Sequence, residues 1–317
     1  MAKYPRHTTS AIPVIVGPTA SGKTDISLAL GELLNGEIIS ADSRQVYKYL
    51  DIGTAKPTVD QRRRLRHHFV DELHPDQPFN AGIFGAEGRK RIAEIFTRKK
   101  MPIVVGGSGL YVRSLIDGLF EGPSSDPETR LILEQRVRDG RTAELVEELR
   151  QVDPNTAARA DVTKPRRIIR ALEVYYLTGK PLSLHHTENR PDITFTAMVF
   201  GLKWERKELY RRIEDRCDAM IRDGLLDEIE MLETMGCDRR LNALNTVGYA
   251  EGFAYRAGEI SHMEMVRLFK QNSRRYAKRQ LTWFRADKRV RWIPVDTGVS
   301  TENVASEIAE QLLPNFS

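Results

Sequence analysis

Residues 17–24 read GPTASGKT, a match to GxxxxGK[ST]. An apolar run at 11–16 leads into the motif, and Ile26, Leu30, Leu33 and Leu34 follow it at helical spacing, so the motif joins a strand to a helix. In that setting the glycines let the backbone wrap until successive N–H groups point at phosphate oxygens. The helix N-terminus adds positive potential and Lys23 adds a full charge. Gly17, Pro18, Thr19, Ala20, Ser21, Gly22, Lys23 and Thr24 are therefore read as a diphosphate or nucleotide cradle, with the Thr24 hydroxyl offered to Mg²⁺. A glycine turn that binds nothing is the bland alternative, and the flanking strand and helix weigh against it. The motif does not say which phosphorylated ligand is held.

Further strands fit 37–41 and 103–105, each ending in polar or glycine residues with helical material between. Such alternation implies a parallel α/β sheet flanked by helices, of the P-loop NTPase-like kind. In open sheets of this kind the ligand sits beyond the carboxyl ends of the strands, so residues 17–24, 42–45 and 106–109 should converge. After Gly118 the pattern changes. DGLFEGPSSDPETR reads as a loop, and 131–174 is charged, helical and poor in strand signals. We read an inserted all-helical domain at 120–192 between two parts of the core, 1–119 and 193–317. A fourth strand fits 196–202, and 208–235 and 263–284 read as long arginine-rich helices.

The 317 residues and 40% apolar content suit such a core with an insertion, and the net charge of +5 permits a polyanionic partner without requiring one. No apolar run approaches the roughly 20 residues needed to cross a bilayer, and the first ten residues lack a secretion signal. A cytoplasmic protein without membrane contact is expected, and no dimerisation signal speaks against a monomer. Cys217 and Cys237 read as reduced thiols. His67-His68 and His185-His186 are adjacent pairs which, if helical, point about 100° apart, and no further ligands stand at metal-binding spacing.

Asp42 follows the second strand at the same rim as the cradle. It suits a general base or, alternatively, a water-mediated Mg²⁺ ligand. The third strand ends in Gly106-Gly107-Ser108-Gly109 with no acidic residue, which weakens a motor-type ATPase reading; Ser108 is the side chain placed to meet a substrate there. Two basic stretches suit a nucleic-acid backbone: Arg166, Arg167 and Arg170, and the helical face of Arg267, Lys270, Arg274 and Lys278. A charged face is more often simply solvated, and Trp283 and Phe284 could stack on bases, although burial in the core is the commoner fate of adjacent large apolar residues.

Taken together, GPTASGKT, ISADSRQVYKYLDIGTAKP, VVGGSGLYV, RRIIRALEVYYLTGKP and AKRQLTWFR, in that order between residues 17 and 285, resemble the tRNA dimethylallyltransferases. The resemblance implies dimethylallyl diphosphate as donor, the adenosine immediately 3′ of the anticodon of tRNA as acceptor, and Mg²⁺. It implies that 19–24 hold the diphosphate and that Asp42, Ser43, Arg44 and Gln45 meet tRNA. Arg166, Arg167, Ile168, Ile169 and Arg170 would do the same, with Ser108 and Arg130 as further contacts. Arg216, in RRIEDRCDAMIRDGLLDE, is similar to the family's arginine that reaches the diphosphate, and it joins Asp42, Lys23 and Thr24 as a catalytic residue. Two positions depart from the family pattern: Ser108 stands where threonine is frequent, and Arg166 where glutamine is common. The Cys and His pairs of the zinc finger carried by some eukaryotic relatives are absent, which suggests the shorter bacterial type.

Dimethylallyl transfer also implies an apolar pocket, whose walls the sequence does not name. The alternatives are a P-loop kinase acting on a small molecule, with Asp42 as base and Arg130 or Arg170 over the phosphates, and dimethylallyl transfer to free adenine nucleotides. A nucleic-acid-binding module without catalysis would leave Lys23, Thr24 and Asp42 unexplained. The large helical insertion favours tRNA as acceptor.

Overall fold

A computed structural model describes residues 11–118, 126–159, 161, 163–188 and 193–312. The expected loop after Gly118 falls largely outside these residues, as does the expected end of the insertion near Pro191. The chain divides into two compact units, one formed by 117–192 and the other by the stretches on either side of it.

In the larger unit the chain alternates β1 (Ala11–Val16), α1 (Lys23–Leu33), β2 (Gly36–Ser40), α2 (Val59–Arg64), β3 (His67–His68), α3 (Ala81–Thr97), β4 (Met101–Gly106) and α4 (Gly109–Asp117). The strands are near-continuous apolar runs because both faces of the sheet are covered, the usual condition of parallel strands. Val14 of β1 pairs with Val104 on one side and Val199 on the other. All six strands run parallel in the order β3-β2-β4-β1-β5-β6.

The smaller unit is helical: α5 (Pro127–Arg138), α6 (Thr142–Val152), α7 (Pro154–Ala157), α8 (Pro165–Thr178) and α9 (Leu182–Glu188). Aspartates start two of these helices. Asp126 accepts from the Thr129 N–H at 2.8 Å ahead of Pro127, and Asp153 accepts from the Thr156 N–H at 3.0 Å ahead of Pro154. Leu133, Leu145, Leu149, Ile168, Ile169 and Leu172 form the unit's own core.

The larger unit then resumes with β5 (Thr196–Lys203), α10 (Arg206–Arg222), α11 (Leu225–Thr234), α12 (Tyr249–Arg256), α13 (His262–Arg285), β6 (Arg291–Pro294) and α14 (Thr301–Leu312). One face of its sheet packs Ile26 and Leu30 of α1 against Val304, Ile308 and Leu312 of α14. On α3 and α4 the rings of Phe84 and Tyr111 lie 5.2 Å apart, with Phe69 5.0 Å from Phe84. Where one helix was expected over 208–235, Gly224 at φ 101° interrupts it, a left-handed conformation that side chains rarely adopt. Among the described residues no helix is long and apolar enough to cross a membrane.

Candidate active site

At the carboxyl ends of β1, β2 and β4 lies a cleft of about 480 Å³, lined by Thr19, Ala20, Ser21, Gly22, Lys23 and Thr24, by Asp42, Arg44 and Gln45, and by Gly106 and Gly107. The three segments expected to converge do so here. Ala20 (φ 62°) and Gly22 (φ 85°) turn the loop into a concave nest. Two of its carbonyls are held by side chains: the Trp204 indole N–H donates to the Ser21 carbonyl at 3.0 Å and the Arg212 Nε to the Ala20 carbonyl at 3.0 Å. The Arg212 guanidinium stacks 4.3 Å above the Trp204 ring. With these carbonyls bound, the loop amides beyond Thr19 are left for an anion.

Part of the expected cradle lies off the cleft or is bonded elsewhere. Gly17 and Pro18 do not line the cleft, and the Pro18 carbonyl accepts the Lys23 amine at 2.6 Å. The Thr19 N–H donates to Gln280 Oε1 at 2.9 Å, while Gln280 Nε2 donates to the Gly107 carbonyl at 3.0 Å. One buried amide on α13 therefore joins the loop after β1 to the turn after β4. Gly107 leaves that amide its space, since a Cβ there would come within 2.2 Å of Gln280 Nε2. The Ser21 hydroxyl is buried and, among the described residues, has no hydrogen-bond partner.

Asp42 is held by its own turn: Oδ1 accepts the Arg44 N–H at 2.8 Å and the Gln45 N–H at 3.4 Å. Its other oxygen accepts no hydrogen bond among the described residues and is available for a proton. The Gln45 amide faces inward, accepting from Ser40 Oγ at 2.8 Å and donating to the Thr54 and Ala55 carbonyls at 3.3 Å each. It braces the Asp42 turn against the following loop. That loop is anchored in turn by Glu228, which accepts the N–H groups of Asp51, Ile52 and Gly53 at 2.8, 2.8 and 3.1 Å and the Tyr249 hydroxyl. The buried Lys56 amine ties Asp51 to Asp71. Ser43 is half-buried, and Arg44 reaches the Asn245 carbonyl at 3.4 Å.

Charge in the cleft is unbalanced. Burial and then the Arg216 guanidinium push the Lys23 amine down to about 7, with Asp42 pulling the other way. Burial likewise lowers Arg216, again opposed by Asp42. Lys23 and Arg216 act on the same carboxylate, and the whole lining carries five cations, Lys23, Arg44, Arg211, Arg212 and Arg216, against Asp25, Asp42 and Asp215, an excess that an anion would relieve. Tyr276, also on the cleft wall, is pushed up to about 12 by burial and by Asp42, and its hydroxyl is hydrogen-bonded to Ser108. Thr24 lines the cleft at the first turn of α1, but among the described residues no three His, Cys, Asp or Glu side chains form a metal cluster. The Thr24 hydroxyl suits Mg²⁺ that brings phosphate oxygens and water as its remaining ligands.

The expected RNA contacts of the smaller unit separate by side of the helix. Arg166 and Arg167 are exposed on α8, whereas Ile168 and Ile169 are buried in the unit's core, so their side chains hold the helix rather than meet a partner. Arg170 pairs with Glu173 at 2.9 Å and Arg130 with Glu134 at 3.0 Å. The basic face of α13 is largely engaged in ion pairs: Arg267 with Glu264 of the same helix, Lys270 with Asp218 and Arg274 with Glu214 of α10. Of those four cations, Lys278 alone has no ion pair among the described residues. Phe284 is buried, and Trp283 is 39% exposed with its ring over Gly109.

His67 and His68 lie on a strand rather than a helix, and both are engaged: His68 Nε2 with Glu37 at 2.8 Å, His67 Nδ1 with the Leu65 carbonyl at 2.8 Å. Trp204, Arg212, Glu228, Tyr249, Tyr276 and Gln280 are site residues that the sequence reading passed over. Gln280 stands inside the quoted AKRQLTWFR, with Tyr276 one helical turn before it, and Arg212 and Glu228 stand inside the quoted RRIEDRCDAMIRDGLLDE.

An all-parallel sheet with a glycine-rich loop and a cleft beyond its strand ends defines the class, a P-loop-type α/β protein. Within that class the chain belongs to the IPP transferase family, whose model matches residues 45–287. It is 44% identical over 297 residues to the tRNA dimethylallyltransferase of Pelotomaculum thermopropionicum, covering 93% of this chain and 94% of that one. It is 47% identical over 282 residues to that of Salinibacter ruber, covering 89% and 87%. Among solved structures it is similar to the full-length tRNA isopentenylpyrophosphate transferase of Bacillus halodurans, with a TM-score of 0.71, 38% identity and coverage of 97% and 98%. It is also similar to a eukaryotic dimethylallyltransferase acting on tRNA, with a TM-score of 0.82, 27% identity and coverage of 97% and 79%.

Proposed function

We propose that this chain transfers the dimethylallyl group of dimethylallyl diphosphate to N6 of the adenosine immediately 3′ of the anticodon of tRNA, releasing diphosphate. Beside the family, one observation supports this most: a turn-held carboxylate, Asp42, and a cationic cradle, Lys23 with Arg216, face the same cleft. Such a site can accept a proton and receive a departing anion in one step. The exocyclic amine is a weak nucleophile because its lone pair is delocalised into the ring, so both ends of the reaction need help.

As N6 bonds to the allylic carbon, the carbon–oxygen bond breaks and its electron pair leaves on the diphosphate. Asp42 takes the N6 proton through the oxygen that its turn leaves open. Loop amides, Lys23 and Arg216 stand preorganised for the charge that grows on the leaving oxygens. Thr24 would hold Mg²⁺ together with the diphosphate, where the ion would supply further charge neutralisation. The allylic fragment gains cationic character, so water must be kept out. The target base would otherwise be stacked in its loop, and recognition would splay it outward onto the Asp42 turn. Exposed Arg166 and Arg167 suit the RNA backbone. Two finer expectations belong to the same proposal: that the enzyme is a monomer and that it works in the cytoplasm.

The test is transfer of labelled dimethylallyl to unmodified tRNA with Mg²⁺, beside reactions offering free AMP or γ-labelled ATP. Label in tRNA is the expected result. Label in AMP alone would move the acceptor to free nucleotides, and ATP consumption without prenyl transfer would replace the proposal with the kinase.

A further inference from the structure

The walls of the cleft change character with distance from the phosphate loop, and this bears on which allylic chains fit. Helices α10 and α13 run antiparallel along it, in a register set by Glu214 with Arg274, Asp218 with Lys270, and the Cys217 thiol on the Ser273 hydroxyl at 3.4 Å. At the loop end, Arg212 and Gln280 bond the loop itself. One turn further along α10 stands Arg216, the second cation of the cradle. A further turn along, about 6 Å by helical rise, Met220 comes opposite Phe269, and both line the cleft with Val247. On α10 and α13 the lining has by then lost its charge.

Phe269 is 3% exposed, and its ring lies against Gly248: a Cβ there would sit 3.1 Å from the ring, at a residue whose φ is +95°. Met220 and Val247 are half-buried beside it. With bonds of about 1.5 Å, a five-carbon allylic chain reaches about 4 Å from its reacting carbon to its terminal methyls, and a second isoprene unit extends that to about 9 Å. The first fits between the level of Arg216 and that of Met220; the second would run into the Phe269 ring.

We propose that Met220, Val247 and Phe269 form a floor that limits the transferred chain to one five-carbon unit and rejects ten-carbon allylic diphosphates. The inference rests on the transferase reading above. Because one methylene in such a pocket is worth about 10- to 200-fold in discrimination, five additional carbons exceed what the floor can accommodate without moving.

The experiment offers dimethylallyl diphosphate and geranyl diphosphate in parallel to the intact enzyme with unmodified tRNA, and reads the mass of the modified adenosine. Wild type is compared with Met220→Ala and Phe269→Ala through the ratio of kcat/KM for the two donors. We expect a wild-type ratio of geranyl to dimethylallyl below about 1 in 100, rising at least about tenfold in each variant. If the loss of Phe269 unfolds the protein, Met220→Ala, at a half-buried position, decides alone. An unchanged ratio in variants that still transfer dimethylallyl would overturn the floor, as would efficient geranyl transfer by wild type. Absence of any transfer by wild type would instead overturn the transferase reading on which the floor depends.

Discussion

Asp42 accepts two backbone N–H groups through one oxygen and leaves the other open, so its structural and chemical parts are separable. In Asp42→Asn the amide carbonyl can still accept from Arg44 while the base is gone. Single-turnover transfer should fall about 10²- to 10⁴-fold with the melting temperature nearly unchanged; a variant that keeps its rate would remove Asp42 from the mechanism. Lys23 makes a pH prediction. Its amine titrates near 7 in the empty site against an ordinary 10.5, so between those values the unfolded chain holds more protons than the folded one. The empty enzyme should therefore gain stability as pH rises through that window, since the cost of the buried cation is fully present only below it. Diphosphate favours the charged amine, so binding above pH 7 should take up a proton and weaken as pH rises. Calorimetry of inorganic diphosphate at pH 8, in buffers of different ionisation heat, reads that uptake; Lys23→Arg, charged throughout, should lack the lysine's share.

Helix α13 contributes to the site through Gln280, which spans from Thr19 to Gly107. Gln280→Ala leaves the Gly107 carbonyl unsatisfied and should cost about 1–3 kcal/mol in denaturant titrations, together with a loss of transfer rate. Thr282→Ala on the exposed side of the same helix should do neither. The seam to α10 is a contrasting case: Glu214 is 41% and Arg274 30% exposed, so Arg274→Ala should change stability by less than about 1 kcal/mol. The long helices were legible because apolar spacing repeats over many turns. β3 and β6 were not, being edge strands of two and four residues with too little alternation to read. The break between α10 and α11 was carried by Gly224, one glycine within a charged stretch that otherwise continues the helical pattern.

For the whole molecule, the distribution of ion pairs decides which cations are available to RNA. Removing Arg166 and Arg167 together should flatten the dependence of tRNA affinity on salt by about 0.7–0.9 log units per lost phosphate contact. Removing Lys270 and Arg274, which face Asp218 and Glu214, should leave that slope unchanged. The opposite pattern, measured by filter binding across a salt series, would return the RNA surface to α13. The phosphate loop, the Asp42 turn and the strands around them were readable from the chain alone, because each is a contiguous segment whose conformation follows from sterics and hydrogen bonds within a few residues. What packs against them was not. Gln280 meets Thr19 across 261 residues, Trp204 meets Ser21 across 183, and Glu228 caps Gly53 across 175. Such partners have no periodicity or spacing to announce them, and only the packing of α10, α11 and α13 beside the sheet decided which polar side chain would face which backbone group, and where the apolar floor of the cleft would lie.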